Sequence, residues 1–110
     1  MKLPADTVIA PEKARLYLLV PYARGDKSKF LASAGYTLEN PDRLLHDLRA
    51  QILPLEAAPL ESNPFGEYSE IRGTLTDPNG IALPVRTIWL KERLSGATKF
   101  VTLVPDKRKT

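Results

Sequence analysis

The chain has 110 residues with a formal net charge of +3; 43% are hydrophobic and 26% charged, with no cysteine and one histidine. That length buries a single modest core. The absence of cysteine excludes disulfides, thiolate metal sites and cysteine nucleophiles, and one histidine argues against a histidine-rich metal centre, so neither metal nor cofactor is expected.

No apolar run reaches membrane-spanning length, and Met1-Lys2-Leu3-Pro4 runs into Asp6 without the apolar stretch of a signal peptide. A cytoplasmic protein with no membrane partner is expected. The positive excess is unevenly placed, because Asp106, Lys107, Arg108 and Lys109 supply +2 of it. The expected organisation is a single α+β domain over 1–105 and a basic tail over 106–110. The body lacks the dense basic stripe of a dedicated DNA-binding domain, yet leaves room for a compact basic pocket.

In chain order, Val8-Ile9 reads as an edge strand or an extended lead-in. Pro11 and Glu12 suit the first turn of a helix that runs to about Leu19 and stops at Pro21. The basic loop Arg24-Gly25-Asp26-Lys27-Ser28-Lys29 leads into a short helix from Lys27 to Ala34. Asp26 would cap that helix, Phe30, Leu31 and Ala34 form its buried stripe, and Gly35 sits at the left-handed C-terminal position. Asn40 as N-cap and Pro41 as first residue start a third helix, whose Leu44, Leu45, Leu48 and Ile52 recur at helical spacing until Pro54. A short edge strand over Leu55 to Ala58 and a proline-rich loop come next.

Tyr68 to Trp89 reads as a β-hairpin. Pro78, Asn79 and Gly80 suit a type I turn followed by a left-handed residue, which pairs Asp77 with Ile81, Leu75 with Leu83, Gly73 with Val85 and Arg72 with Arg86. Pro84 removes a ladder donor, implying a bulge or an edge position and leaving the register open by one residue. Ile71, Leu75, Leu83, Val85 and Trp89 alternate onto one face, which packs on the helices. Tyr68, Glu70, Arg72, Thr74, Arg86 and Ile88 share the other. A turn near Ser95-Gly96 and a last strand over Lys99 to Val104 complete N-terminal helices on a three- to four-stranded antiparallel sheet.

The candidate chemistry lies on the polar sheet face. Arg72 opposite Arg86 sets like charges together and asks for an anion: Glu70, solvent counterions or a bound phosphate. A guanidinium fork fits two phosphate oxygens, so the pair either grips a phosphate or forms surface ion pairs with Glu70 and Glu67. Lys27, Arg24 and Lys29 either bind phosphate at a helix start or form a solvated loop. Thr74, Thr87 and Thr102 offer hydroxyls but are ordinary strand residues, and Trp89 reads as core rather than as a platform for a base. His46 faces away from the apolar stripe of its helix. No carboxylate pair, phosphate loop or triad motif points to another enzyme class.

Taken with Lys13-Ala-Arg-Leu-Tyr-Leu-Leu-Val-Pro21, Asp26-Lys-Ser-Lys-Phe-Leu-Ala-Ser-Ala-Gly-Tyr36, Gly66-Glu-Tyr68, Ile71 to Gly80, Val85-Arg-Thr-Ile-Trp89 and Lys99 to Pro105, the chain resembles a family of small uncharacterised bacterial domains. Such domains stand beside a small partner gene or at the C-terminal ends of large toxins, which implies a toxin–antitoxin or toxin–immunity module and a small cognate protein partner. The order of helices then sheet is similar to the barnase–EndoU–colicin–RelE-like ribonucleases, although many of those use a well-placed histidine and only His46 is available.

Two functions follow. One is metal-independent RNA cleavage with Arg72 and Arg86 on the phosphate, Tyr68 or Lys27 activating the 2′-hydroxyl, and Arg24, Lys29 and Thr74 contacting RNA. The other is a non-catalytic module of antitoxin or immunity type that docks a small protein at Leu55 to Ala58, at Phe100 to Val104 or on the polar face.

Overall fold

In a computed structural model, which describes residues 1–13, 28–76 and 80–106, a four-stranded antiparallel sheet carries short helices on one face. The helical elements are α1 (Pro11–Lys13), α2 (Ser28–Ala32) and α3 (Pro41–Asp47), followed by a π-helical turn over Leu48–Ile52. The strands β1 (Ala58–Asn63), β2 (Gly66–Thr76), β3 (Ala82–Glu92) and β4 (Thr98–Pro105) lie in the order β1-β2-β3-β4. This is an up-and-down meander, which needs no long crossover.

The hairpin register is the expected one: Leu75 pairs with Leu83, Gly73 with Val85 and Arg72 with Arg86. Gly80 has φ 84°, the left-handed residue that the loop requires. Asp77, Pro78 and Asn79 lie outside the described residues. Pro84 neither bulges the β2 ladder nor occupies an edge strand, since β3 is central. It is tolerated because it stands just beyond the end of the β3–β4 ladder, which starts at Val85 and Pro105. Its carbonyl there accepts from the Asp106 backbone N–H at 3.0 Å.

The core forms where the alternating face of the hairpin meets the helices. Ile71, Leu75, Val85, Trp89 and Leu103 are fully buried with Leu31, Ala34, Leu44, Leu48 and Ile52. Between Ile88 and Trp89 the β3–β4 register shifts, so Ile88 pairs with Thr102 but Trp89 with Phe100. This bulge turns both Phe100 and Leu103 inward despite their odd separation. Trp89 meets Phe100 edge to face, with centroids 5.2 Å apart and planes at 72°. The indole N–H donates to Thr87 Oγ1 at 2.8 Å, and that hydroxyl donates to the Ile71 carbonyl at 2.8 Å, so the polar atoms of this buried pair are satisfied.

Three local expectations shift. The strand read over Leu55 to Ala58 begins instead at Ala58, because Leu55 N–H bonds the Ile52 carbonyl and Ala57 N–H bonds the Met1 carbonyl, which closes a turn first. Pro59 then fits an edge strand, where a missing donor costs nothing. Asn40 occupies the residue before α3 but does not cap it. Its Oδ1 accepts from Thr37 N–H at 2.9 Å, and its amide donates back to the Gly35 carbonyl. The third helix widens after Asp47, with Leu53 N–H bonding the Leu48 carbonyl five residues back at 2.9 Å.

Other expectations hold. Gly35, at φ 94°, ends α2 with Tyr36 N–H on the Leu31 carbonyl. Leu31 and Ala34 are buried, and Phe30 packs partly against them. Helix one is described only as Pro11–Lys13, and the Asp26 cap lies outside the described residues. Tyr36 Oη donates to the buried Asp47 Oδ2 at 2.6 Å, and the same oxygen accepts from Arg43 Nε at 3.3 Å. Val8 makes one parallel bridge to Lys99, so the Val8-Ile9 segment is an extended lead-in on the β4 edge.

Gly66 opens β2 against β3. A Cβ there would stand 2.1 Å from the Lys91 carbonyl oxygen and 2.9 Å from Leu90 Cδ1. A backbone oxygen in a ladder cannot step aside, so Gly66→Ala is expected to cost the upper end of the ~1–3 kcal/mol typical of overpacking, or more. Urea denaturation read by circular dichroism checks this as a lowered midpoint at unchanged slope.

Candidate functional site

Tyr68, Glu70, Arg72 and Thr74 on β2 and Arg86 and Ile88 on β3 share the sheet face that bears no described helix. Strand alternation alone puts them there, because their odd-numbered neighbours are consumed by the core. The backbone of Pro84 is turned toward β4, so the Thr74–Pro84 and Arg72–Arg86 pairs across β2 and β3 are the non-hydrogen-bonded kind. In such pairs the side chains approach most closely. Two guanidiniums therefore rise side by side.

Their compensating anion is Glu70, paired with Ile88 and diagonal to Arg86. Arg86 Nε donates to Glu70 Oε2, and Arg72 Nε lies 3.2 Å from Oε1. The two arginines are each about one-third exposed (33% and 35%) and the carboxylate only 15%, so Glu70 sits low between them. The Arg72 Nε–H is not aimed at Oε1; it is a buried donor with no acceptor. Such an orphan lowers the cost of turning that guanidinium toward an incoming anion. One carboxylate against two guanidiniums leaves a local excess of one positive charge, with the forks reaching solvent.

Of the sequence-derived candidates, the structure brings Arg72, Arg86, Tyr68 and Thr74 onto one face. Tyr68 pairs with Leu90, two residues along β2 from Glu70, while exposed Thr74 lies at the opposite end opposite Pro84. Lys29 is exposed on α2, whose Leu31 packs into the core, so it stands on the helix-bearing side, apart from the arginines. Lys27 and Arg24 lie outside the described residues. Thr87 is buried under Trp89, and His46 is exposed on α3. Glu67 takes no part in the arginine cluster. Its place one residue before Tyr68 turns it to the helix-bearing face.

Sequence reasoning weighed Glu70 only as a countercharge. The signal for a larger role was available in the i, i+2 spacing of Glu70 and Arg72 combined with the hairpin register. Among the described residues no group of histidine, aspartate or glutamate side chains is arranged to hold a metal ion.

A family model described as Domain of unknown function (DUF6883) matches residues 3–107. The chain belongs to this family. The match spans every described strand and helix and includes the arginine cluster. No curated protein and no solved structure matches the chain. No helix among the described residues is long and apolar enough to cross a membrane.

Proposed function

We propose that this domain cleaves RNA without a metal ion, as the toxin half of a cytoplasmic toxin–antitoxin or toxin–immunity module. The observation that carries the reading is the low-lying Glu70 carboxylate bracketed by Arg72 and Arg86 on the open sheet face. Metal-independent cleavage needs a base for the 2′-hydroxyl, cations for charge developing on phosphorus, and an acid for the departing 5′-oxygen. The cluster offers the first two. An ionised carboxylate has about four lone-pair positions, so two arginines leave Glu70 able to accept the 2′-hydroxyl proton. As O2′ bonds phosphorus, the P–O5′ bond breaks, and Arg72 and Arg86 hold the equatorial oxygens. Tyr68, on the same face, is the hydroxyl nearest along the strand to protonate O5′. Thr74, on the same face, would be an outer RNA contact, whereas Lys29 stands on the helix-bearing side away from the cluster, and Lys27 and Arg24 lie outside the described residues.

Controlled expression of wild type and of the Arg72→Ala, Arg86→Ala double variant in a bacterial host tests this. Growth arrest with fragmented total RNA, lost in the double variant, is expected. Normal growth with intact RNA, while soluble protein accumulates, overturns it.

A second reading has its own support: a non-catalytic module that docks a small antitoxin- or immunity-type protein. Phe65 is 74% exposed and Leu94 wholly so. Together with Pro64, Tyr68 and Leu90 they line an open hollow of about 400 Å³ on the same face. The β1 edge is exposed beside it, whereas Val8 already occupies the β4 edge at Phe100, with Phe100 N–H on its carbonyl at 2.8 Å. On this reading expression is harmless, and Phe65→Ser with Leu94→Ser weakens the complex with the product of the neighbouring partner gene.

A further inference from the structure

The β1–β2 and β3–β4 turns close the same end of the sheet and are tied to each other. The Arg93 backbone N–H donates to the Phe65 carbonyl at 2.9 Å, and the Arg93 guanidinium donates to the Asn63 carbonyl at 2.9 Å. Each turn is also closed within itself. Asn63 Oδ1 accepts from the Phe65 N–H at 2.8 Å, and the Gly96 N–H donates to the Glu92 carbonyl at 2.8 Å, with Gly96 left-handed at φ 73°. Turn positions usually go to glycine, proline, asparagine, aspartate or serine. These two fixed tips instead hold Phe65 and Leu94 out in solvent, where neither is spent on the core.

With Pro64 and Tyr68 they line the open hollow of about 400 Å³, and Leu90, the remaining apolar member, is nearly covered at 8% exposure. The surface on offer is therefore that of Phe65, Leu94, Pro64 and Tyr68. The charged members cancel. Lys99 Nζ lies 2.9 Å from Glu92 Oε2, and that contact, with Ser95, holds the Glu92 carboxyl below the ordinary carboxylate range.

Further along β2 the charge changes. Glu70 stands two residues beyond Tyr68, about 7 Å at strand spacing. There two guanidiniums outweigh one carboxylate. The face thus offers a neutral apolar hollow and a positive cluster, with Tyr68 between them. A nucleotide divides in the same way, into a flat base and an anionic phosphate joined through one ribose. Stacking on an aromatic ring accepts every base, because each has a π-face, but it needs a base that is not held in a duplex.

We propose, resting on the ribonuclease reading above, that this hollow seats the base of the nucleotide on the 3′ side of the scissile bond, so that the substrate is single-stranded RNA with an unpaired base directly after the cut. The polarity follows from the order along β2. Arg72 and Arg86 hold the phosphate and Tyr68 protonates the departing O5′. The nucleotide that carries O5′ then continues past Tyr68 to Phe65 and Leu94.

A short oligoadenylate methylated on every 2′-hydroxyl but one fixes the cut, since only the free hydroxyl can attack. It is compared with versions lacking the base 3′ or the base 5′ of that position. Wild type should lose at least about tenfold in kcat/KM without the 3′ base, and much less without the 5′ base. Pairing the 3′ base in a hairpin stem should slow cleavage by a similar factor. The Phe65→Ala, Leu94→Ala double variant should be at least about tenfold slower on the intact oligomer and indifferent to loss of the 3′ base. Its thermal midpoint should not change, because both side chains are exposed. Cleavage by wild type that ignores the 3′ base, or that the double variant matches, overturns the base subsite and leaves the ribonuclease reading standing. Matched cleavage together with lost binding of the partner gene's product assigns the hollow to a protein instead. No cleavage of any RNA by wild type overturns both readings.

Discussion

Glu70→Gln is expected to lower the turnover of RNA cleavage by about 10²–10⁴ while leaving the substrate KM unchanged or lower. The amide keeps the shape of the carboxylate but cannot take a proton from a 2′-hydroxyl, and it ceases to compete with the phosphate for the two guanidiniums. Arg72→Ala and Arg86→Ala act in the other sense. Each removes a donor from the developing charge, at about 2.7–4 kcal/mol if it behaves like an oxyanion-hole group, and KM should rise with it. The contrast between the two kinds of variant is the discriminating result.

If the cluster only glues β2 to β3, a different pattern appears. Glu70→Gln then leaves two guanidiniums facing each other without an anion and destabilises the hairpin by the few tenths to about 1 kcal/mol typical of cross-strand pairs. Removing one arginine relieves that repulsion, so Arg72→Ala combined with Glu70→Gln would recover stability. No variant would alter RNA at all. Single-turnover cleavage of a short single-stranded RNA, run beside denaturant melts of the same proteins, separates the two cases.

Much of this face was legible in the sequence because a hairpin is a local object. Pro78-Asn79-Gly80 fixes a loop length, loop length fixes register, and register with two-residue alternation puts Arg72 beside Arg86 and Trp89 in the core. Pro84 raised the prospect of a slipped register. It caused none, because the β4 ladder ends one residue short of it, a fact set by a strand starting fourteen residues later. The misplaced edge strand has the same origin. Leu55 to Ala57 look like the start of β1, but the Ala57 N–H is claimed by the Met1 carbonyl at the far end of the chain. Asn40 followed by Pro41 marks where α3 starts, and still the asparagine side chain is spent on Thr37 and Gly35, a competition that the motif does not encode. The β4 bulge opposite Ile88 and Trp89 and the packing of Met1 to Pro4 beside β2 and β3 are likewise products of long-range packing, invisible to periodicity. Glu70 differs: its position was readable, but its burial, which turns a countercharge into a candidate base, was not.

Trp89→Ala is expected to be the most destabilising single change outside the backbone, by about 3–5 kcal/mol. The side chain is fully buried where β3, β4 and the N-terminal segment meet, and Phe100 rests edge-on against it. Its removal deletes the largest apolar surface in the core and opens a void that Phe100, held in its ladder by Val8 and Trp89 backbone pairing, cannot collapse to fill. Thr87 Oγ1 loses its indole donor as well, though it keeps the Ile71 carbonyl. Against a total stability of about 5–15 kcal/mol for a domain of this kind, such a loss leaves a large part of the chain unfolded at growth temperature. Trp89→Phe separates the contributions. It keeps most of the volume and gives up the N–H and part of the bicyclic ring, so it should cost well under half as much. Urea midpoints for the two variants check the order, with equal slopes required before they are compared. A loss below about 1 kcal/mol for Trp89→Ala would mean that the N-terminal segment over Trp89 collapses into the space it leaves.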